Sequence, residues 1–370
     1  MNDFHGIICA YVAAPELGDL VSHRTSASLP IGGRYRLIDF ILSSMVNAGV
    51  HDVGVVMQRD YQSLIDHVGS GKEWDLSRRR GGLRVLPPFG MPDSHHGEYN
   101  GAIEALSAIY SYIKDIGQEH IILAMGDLAA NIDLEAAMER HLAAKAEITA
   151  ICTEQTPPEN HHRFIPDEDG FSSQLLCDRS HDGVGVVSLG VYIITKARLL
   201  ELISTCSASS KIHLHRDALM SHLQRGGRVN LYMHRGFARR VVSSKAYYDI
   251  SMSMLQYDIR GDLFPPERPI MTKERADVST YYGEESKSKN SLVADGCYVE
   301  GVIENCILFR GVRIERGARI KNCVLMQDTK IGAGAVLAYV IADKDVNISR
   351  LTTLAGNAVL PFCIPKGISV

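Results

Sequence analysis

Several things are missing from this chain, and each absence narrows what it can be. No apolar run approaches the roughly 20 residues of a membrane-spanning helix, so no membrane span is expected. No basic tract is long enough to suggest nucleic acid. Arg78-Arg79-Arg80 is short, runs into Gly81-Gly82, and reads as a solvated or interface loop. The eight cysteines (Cys9, Cys152, Cys177, Cys206, Cys297, Cys306, Cys323 and Cys363) form no C-x-x-C pair, and several lie in apolar runs. That pattern argues against a disulfide framework or zinc site and fits a reduced, cytoplasmic protein. The opening MNDFHG has neither a charged n-region nor a long apolar core, so no signal peptide is expected. His95-His96 and His161-His162 have no carboxylate or cysteine at ligand spacing and read as loop residues rather than metal ligands. What is present is ordinary for a soluble globular chain: 370 residues, 45% hydrophobic, net charge −4. The length suggests two domains with ample core.

The stretch from Ile7 to Phe40 organises the rest. Ile7 to Val12 is a continuous apolar run, as expected for a buried strand. Leu29-Pro30-Ile31 reads as extended chain, Gly32-Gly33 as a turn, and Arg34 and Arg36 as two cations on a period of two. After Ile38-Asp39-Phe40, Ile41 onward has helical spacing and stops at Gly49. Beyond it, apolar strands alternate with helical stretches. Val53–Met57, Leu83–Leu86, Ile121–Met125, Ile148–Cys152 and Val184–Ile194 read as strands, the last also as a hairpin arm. Tyr61–Val68, Asn100–Ile113, Leu134–Lys145 and Lys196–Ile203 read as helices. This alternation predicts a doubly wound, Rossmann-like α/β domain over residues 1–262. Its site is expected beyond the carboxyl ends of the strands, where Asp127 falls. Residues 263–290, with Pro265-Pro266, Pro269 and a polar run from Glu284 to Asn290, read as an interdomain linker.

From Ser291 to Val370 the period changes. Val302, Leu308, Ile314, Ile320 and Met326 recur every six residues, and Ile331 and Leu337 continue after a one-residue slip. Gly301, Gly311, Gly317, Gly332 and Gly334 punctuate the repeat. Aliphatics at a six-residue step with small residues between them predict a parallel β-helix; the alternative is a series of hairpins.

LPIGGRYRLIDF followed by LSSMVNAG resembles the sugar-1-phosphate nucleotidyltransferases, and most closely the bacterial ADP-glucose pyrophosphorylases of glycogen synthesis. The resemblance covers nearly the whole chain and implies a left-handed β-helix of hexapeptide repeats after the nucleotidyltransferase-like domain. Catalytic members carry a GGxGTRLxPLT loop and a lysine in a K-P pair. Their glycines bring backbone N–H groups to the nucleotide phosphates, and their cations neutralise developing charge. Here the loop reads Ala13-Ala14-Pro15-Glu16-Leu17-Gly18-Asp19, and Ser26 stands at the lysine. The family's first metal carboxylate corresponds to Asp127, whose polar followers are lost; an N-cap or turn aspartate is the alternative. The second, in a W-x-D-V-G-T stretch, falls in Phe237-Ala238-Arg239-Arg240, where arginine replaces aspartate. A guanidinium repels a cation. The sugar-phosphate lysine stretch corresponds to Leu175–His181, where Arg179 is the one substitute. Tyr99 and Gly101 resemble the Y-x-G stretch, and Ser188 the S-M-G-I-Y strand; they line a vestigial pocket or serve packing. Arg24, Arg34 and Arg36 resemble the part that meets phosphorylated effectors near the β-helix. Arg310, Arg313, Arg316 and Arg319 recur every three residues. An effector or anion site is expected from Arg24, Arg36 and Arg313, the alternative being a solvated cationic face.

The resemblance therefore implies the non-catalytic, GlgD-type regulatory subunit of the family. It would bind no magnesium or other cofactor of its own and no metal. It would modulate a catalytic subunit of ADP-glucose pyrophosphorylase in a heterotetramer, with association with itself left open. Two rival readings stand. One is a weakly active sugar-1-phosphate nucleotidyltransferase with an altered phosphate loop. The other is a hexapeptide acyltransferase, disfavoured because residues 291–370 contain no histidine.

Overall fold

The computed structural model describes residues 3–10, 14–88, 99–155, 162–177 and 183–370. Its amino-terminal domain is built on one ten-stranded sheet. Phe4–Cys9 lies inside it, parallel to Asp52–Val56 on one side and to His120–Met125 on the other. Gly82–Leu86 extends the first side in parallel. On the second side, Val186–Thr195 runs antiparallel to both His120–Met125 and Ile148–Thr153. The sheet is therefore mixed, with the long strand Val186–Thr195 reversed inside a doubly wound α/β frame. The strands read as unbroken aliphatic runs because both faces are covered. Ile103, Leu106, Leu199 and Ile203 pack on one face; Ile38, Ile41, Met45, Leu134 and Met138 pack on the other.

The carboxyl-terminal domain is the expected left-handed β-helix, made of three five-stranded parallel sheets. Its first coil starts earlier than the linker reading placed it. Tyr281–Tyr282 and Lys287–Lys289 already pair with the strands of the second coil. The phase of the repeat also differs at two positions. Ile303 is fully buried, while its neighbour Val302 is 38% exposed. Leu325 faces the interior, while Met326 packs outward against the first domain. In both places two aliphatics stand side by side, and only one can point inward on a pleated strand. One line of corners is held by asparagine rather than glycine. Asn290, Asn305 and Asn322 all have positive φ, a conformation that asparagine tolerates. Their side-chain amides form a ladder, at 2.7 and 3.1 Å.

The two domains share a core. Ile307, Phe309, Val324, Met326 and Ile341 pack against Leu17, Leu20, Phe40, Tyr247 and Tyr248. Tyr247 donates to the Pro30 carbonyl and Tyr248 to that of Asn322, both at 2.8 Å. Much of the stretch read as linker is held down on the first domain. Phe264 stacks on Tyr35 with centroids 4.9 Å apart. Asn131 donates to the carbonyls of Leu263 and Arg268, and the Met271 N–H donates to Ser43. No helix is long and apolar enough to cross a membrane among the described residues.

Candidate functional site: a closed carboxylate and a cationic seam

The carboxyl end of His120–Met125 delivers Asp127, as the sheet order requires. The next strand, Leu128–Ala130, pairs antiparallel with Ala238–Arg240, which sets Arg240 opposite Leu128. From there the Arg240 side chain reaches Asp127. Its Nη2 donates to Oδ2 at 2.7 Å, and Nε lies 3.1 and 3.2 Å from the two oxygens. Asp127 is fully buried. This is a fork-on-carboxylate pairing in a low-dielectric setting. The residues present do not fit a magnesium ion: both oxygens of the one carboxylate are engaged, and a positive charge already stands where the cation would sit. Gly190 makes room for the pair. Its φ is +75°, and a Cβ there would lie 3.3 Å from the Met125 Cγ and 3.9 Å from the Arg240 Cζ.

Beside the pair lies a cavity of about 400 Å³. Tyr99, Gly101, His162, Cys177, His215 and Arg240 are among the residues lining it. Tyr99 is buried, which raises its phenol above the usual tyrosine range. Gly101 is required by packing, since a Cβ there would meet the Ile212 carbonyl oxygen at 2.2 Å. Ser188 reaches the cavity indirectly. Its Oγ lies 2.6 Å from the Tyr192 hydroxyl, which in turn lies 2.6 Å from the His215 Nε2. His215 stacks on His162 with centroids 3.8 Å apart. Burial, then the neighbouring His162 and Arg240, hold His215 well below the usual histidine range. It is a neutral ring at pH 7. Sequence reasoning singled out Ser188 but missed His215 and His162, which the fold joins to it through Tyr192. His95, His96, His161 and Arg179 lie outside the described residues.

The segment aligned with the expected phosphate loop is packed into the domain seam. Pro15–Val21 forms a 3₁₀-helical stretch with Leu17 and Leu20 buried. Those two leucines are part of the core shared with the β-helix. Glu16 and Asp19 are left exposed. Ser26, at the place of the family lysine, is buried, and its hydroxyl has no hydrogen-bond partner among the described residues.

The expected effector arginines are divided by the fold. Arg24 is 4% exposed and gives both Asp343 oxygens a hydrogen bond, at 2.8 and 2.7 Å. Its charge is therefore matched internally, and the reading of Arg24 as a free anion ligand is corrected. Arg36 starts the helix Leu37–Asn47 and donates to the Ser63 hydroxyl at 2.9 Å. Burial, opposed by Asp39 and reinforced by Arg24, brings it down to about 10. A residue not singled out in the sequence joins them. Lys344, next to Asp343, is lowered to about 7 by burial and then by Arg36 and Arg24, with Asp343 opposing. Three basic side chains thus meet in one seam, where Asp343 is taken up by Arg24 and Asp39 lies beside Arg36. Arg313 is elsewhere, on an outer sheet of the β-helix between Tyr298 and Lys330. The three-residue spacing of the β-helix arginines scatters them. Arg310 is buried near Asp277, Arg316 pairs with Glu300, and Arg319 lies on a second sheet.

Comparison with known proteins agrees with the architecture. Residues 15–170 match the Nucleotidyl transferase family, and residues 277–358 match the GlmU-like, C-terminal hexapeptide family. The chain is 36% identical to the glycogen biosynthesis protein GlgD of Bacillus subtilis (strain 168), over 99% of this chain and 97% of that one. It is 35% identical to the GlgD of Geobacillus stearothermophilus, over 86% and 82% of the two chains. It is 30% identical to the glucose-1-phosphate adenylyltransferase of the same organism, over 82% and 80%. With this fold, these relatives and a closed carboxylate at the head of the sheet, the chain belongs to the bacterial ADP-glucose pyrophosphorylase family of glycogen biosynthesis, in its GlgD-type branch.

Proposed function

We propose that this chain is a non-catalytic, regulatory subunit that acts on a catalytic glucose-1-phosphate adenylyltransferase, in a heterotetramer. The observation that carries this reading is the Arg240–Asp127 pair. Nucleotidyl transfer needs divalent cations bridging the phosphates, donors for the α-phosphate and an aligned sugar phosphate. Arg240 occupies the Asp127 carboxylate that a cation would need. The Pro15–Val21 stretch is anchored in the domain seam and presents acids where a triphosphate needs bases. Losing one stabilising donor typically lowers a rate by about 10²- to 10³-fold, so their joint loss leaves negligible turnover.

The regulatory part of the reading rests on the seam. Arg36 and Lys344 lie beside the buried Arg24–Asp343 pair, where the two domains meet. A phosphorylated effector there would be held by both domains at once, and its binding would bias their packing. A ligand shifts a partner only through differential affinity for two states, and a two-domain seam supplies such states.

The test is a mixing assay. The purified chain alone, with ATP, glucose 1-phosphate and magnesium, is expected to release no pyrophosphate. Added to the catalytic subunit, it is expected to raise turnover or substrate affinity and to co-elute with it. Magnesium-dependent pyrophosphate release by the chain alone would overturn the reading in favour of a weakly active enzyme.

A further inference from the structure

One outer face of the β-helix carries a ladder unlike the other two. Reading up the coils in register, its outward residues are Tyr281, Tyr298, Arg313, Lys330 and Asn347. The tyrosines are 49% and 41% exposed and stack on each other, with centroids 4.6 Å apart and rings 22° from parallel. Tyr281 covers one face of the Tyr298 ring, which remains partly exposed. Arg313 and Lys330 are direct neighbours of the same charge, which destabilises a sheet pair. Elsewhere on the β-helix such charges are interleaved. Glu304 sits between Lys289 and Lys321, at 3.6 and 3.3 Å. Arg275 reaches Asp277 and Asp328, at 3.0 and 3.3 Å. Arg313, Lys330 and the nearby Arg350 have no carboxylate partner among the described residues.

These cations border a groove of about 650 Å³ that runs along the corner of this face. That is within the range of small-molecule sites. Both acids in the groove are engaged. Glu300 pairs with Arg316 at 3.3 Å, and Glu315 accepts the Ala333 N–H at 2.9 Å. Neighbouring strands stand about 4.8 Å apart, so one phosphate group can accept from the Arg313 guanidinium and the Lys330 ammonium together. Gly332 keeps the floor low, since a Cβ there would lie 2.7 Å from the Arg350 N.

We propose that this face is a second ligand site, separate from the domain seam, for a phosphorylated small molecule that bears a ring. Arg313, Lys330 and Arg350 hold the phosphate, and the exposed part of the Tyr298 ring meets the sugar or base beside it. Exposed aromatic faces accept such rings without sequence-like selectivity, so the phosphate sets the position and the ring sets the preference.

The test is calorimetric titration of the full-length chain at near-physiological ionic strength, ~0.15 M, with pyrophosphate, glucose 1-phosphate and ADP. It is repeated in an Arg36→Ala/Lys344→Met background, which removes both cations assigned to the seam as a competing anion site. The expected result is binding that survives in that background and weakens at least tenfold in Arg313→Ala/Lys330→Ala, whose side chains are exposed. Tyr298→Ala is expected to weaken the ring-bearing probes and leave pyrophosphate unchanged, and the stronger of the two tells pyranose from nucleoside. Equal binding with and without Arg313 and Lys330, or none by any probe, overturns the site. An unchanged affinity of both ring-bearing probes in Tyr298→Ala overturns the role given to the ring.

Discussion

Arg240 and Asp127 meet at 2.7 Å, with the carboxylate fully buried and the guanidinium nearly so. Neither can be removed alone without stranding a charge. Arg240→Met is expected to destabilise the chain by about 3–5 kcal/mol in chemical denaturation. Arg240→Asp is expected to be similarly unstable in the absence of divalent cations. Two carboxylates would then face each other, so millimolar magnesium or manganese should raise the melting temperature of that variant. The parent chain should show no such response.

Gly190 holds the positive φ that gives the long strand its register shift. Gly190→Ala places a methyl 3.3 Å from Met125 and forces a left-handed conformation on a residue with a Cβ. The loss should be roughly 1–2 kcal/mol from the backbone alone. Thermal denaturation would read it, and a loss within error would show that the strand reorganises freely.

Arg24 and Asp343 come from opposite domains and are 3% and 1% exposed. Arg24→Ala and Asp343→Ala should each be expensive, about 3–5 kcal/mol by denaturant titration. Arg24→Met/Asp343→Val removes both charges and changes the total side-chain volume little, so it should recover most of that loss. If the double change cost the sum of the two single changes, the coupling between them would be zero and the pair would not act as a unit.

Lys344 makes the seam pH-sensitive. Its folded value is about 7, against an ordinary 10.5. Below about pH 7 both folded and unfolded chains carry the proton, and the full penalty of the buried ammonium is present. Between about 7 and 10.5 the unfolded chain holds a proton that the folded chain has released, so stability rises with pH. Lys344→Met should therefore be more stable than the parent at pH 6, with the gap closing toward pH 10. An anion bound in the seam should raise the lysine back up and take in a proton near pH 8. Titration in buffers of different ionisation enthalpy would detect that uptake.

Much of this was legible from residues alone, for identifiable reasons. Runs such as Ile121–Met125 announce buried strands because both faces of the sheet are covered. The six-residue step announced the β-helix, yet its phase failed at Val302 and Met326, where adjacent aliphatics compete for one inward position. Arginine at 240 was visible as the wrong charge for a metal ligand. That it would turn back onto Asp127 depends on the pairing of two short strands more than a hundred residues apart. Lys344 was invisible for the same reason: nothing in IADKD reveals that Arg24 and Arg36 lie against it. Arg24 shows the converse, a residue well chosen for phosphate chemistry whose fork is already filled by Asp343.

Leu17 and Leu20 tie the Pro15–Val21 stretch to the body of the β-helix. Those two side chains act as a hinge pin. Placing glycines there would free the stretch and, in the same stroke, unfasten the joint between the domains. Mobility at this end of the sheet and cohesion of the two domains are set against each other by the same two leucines.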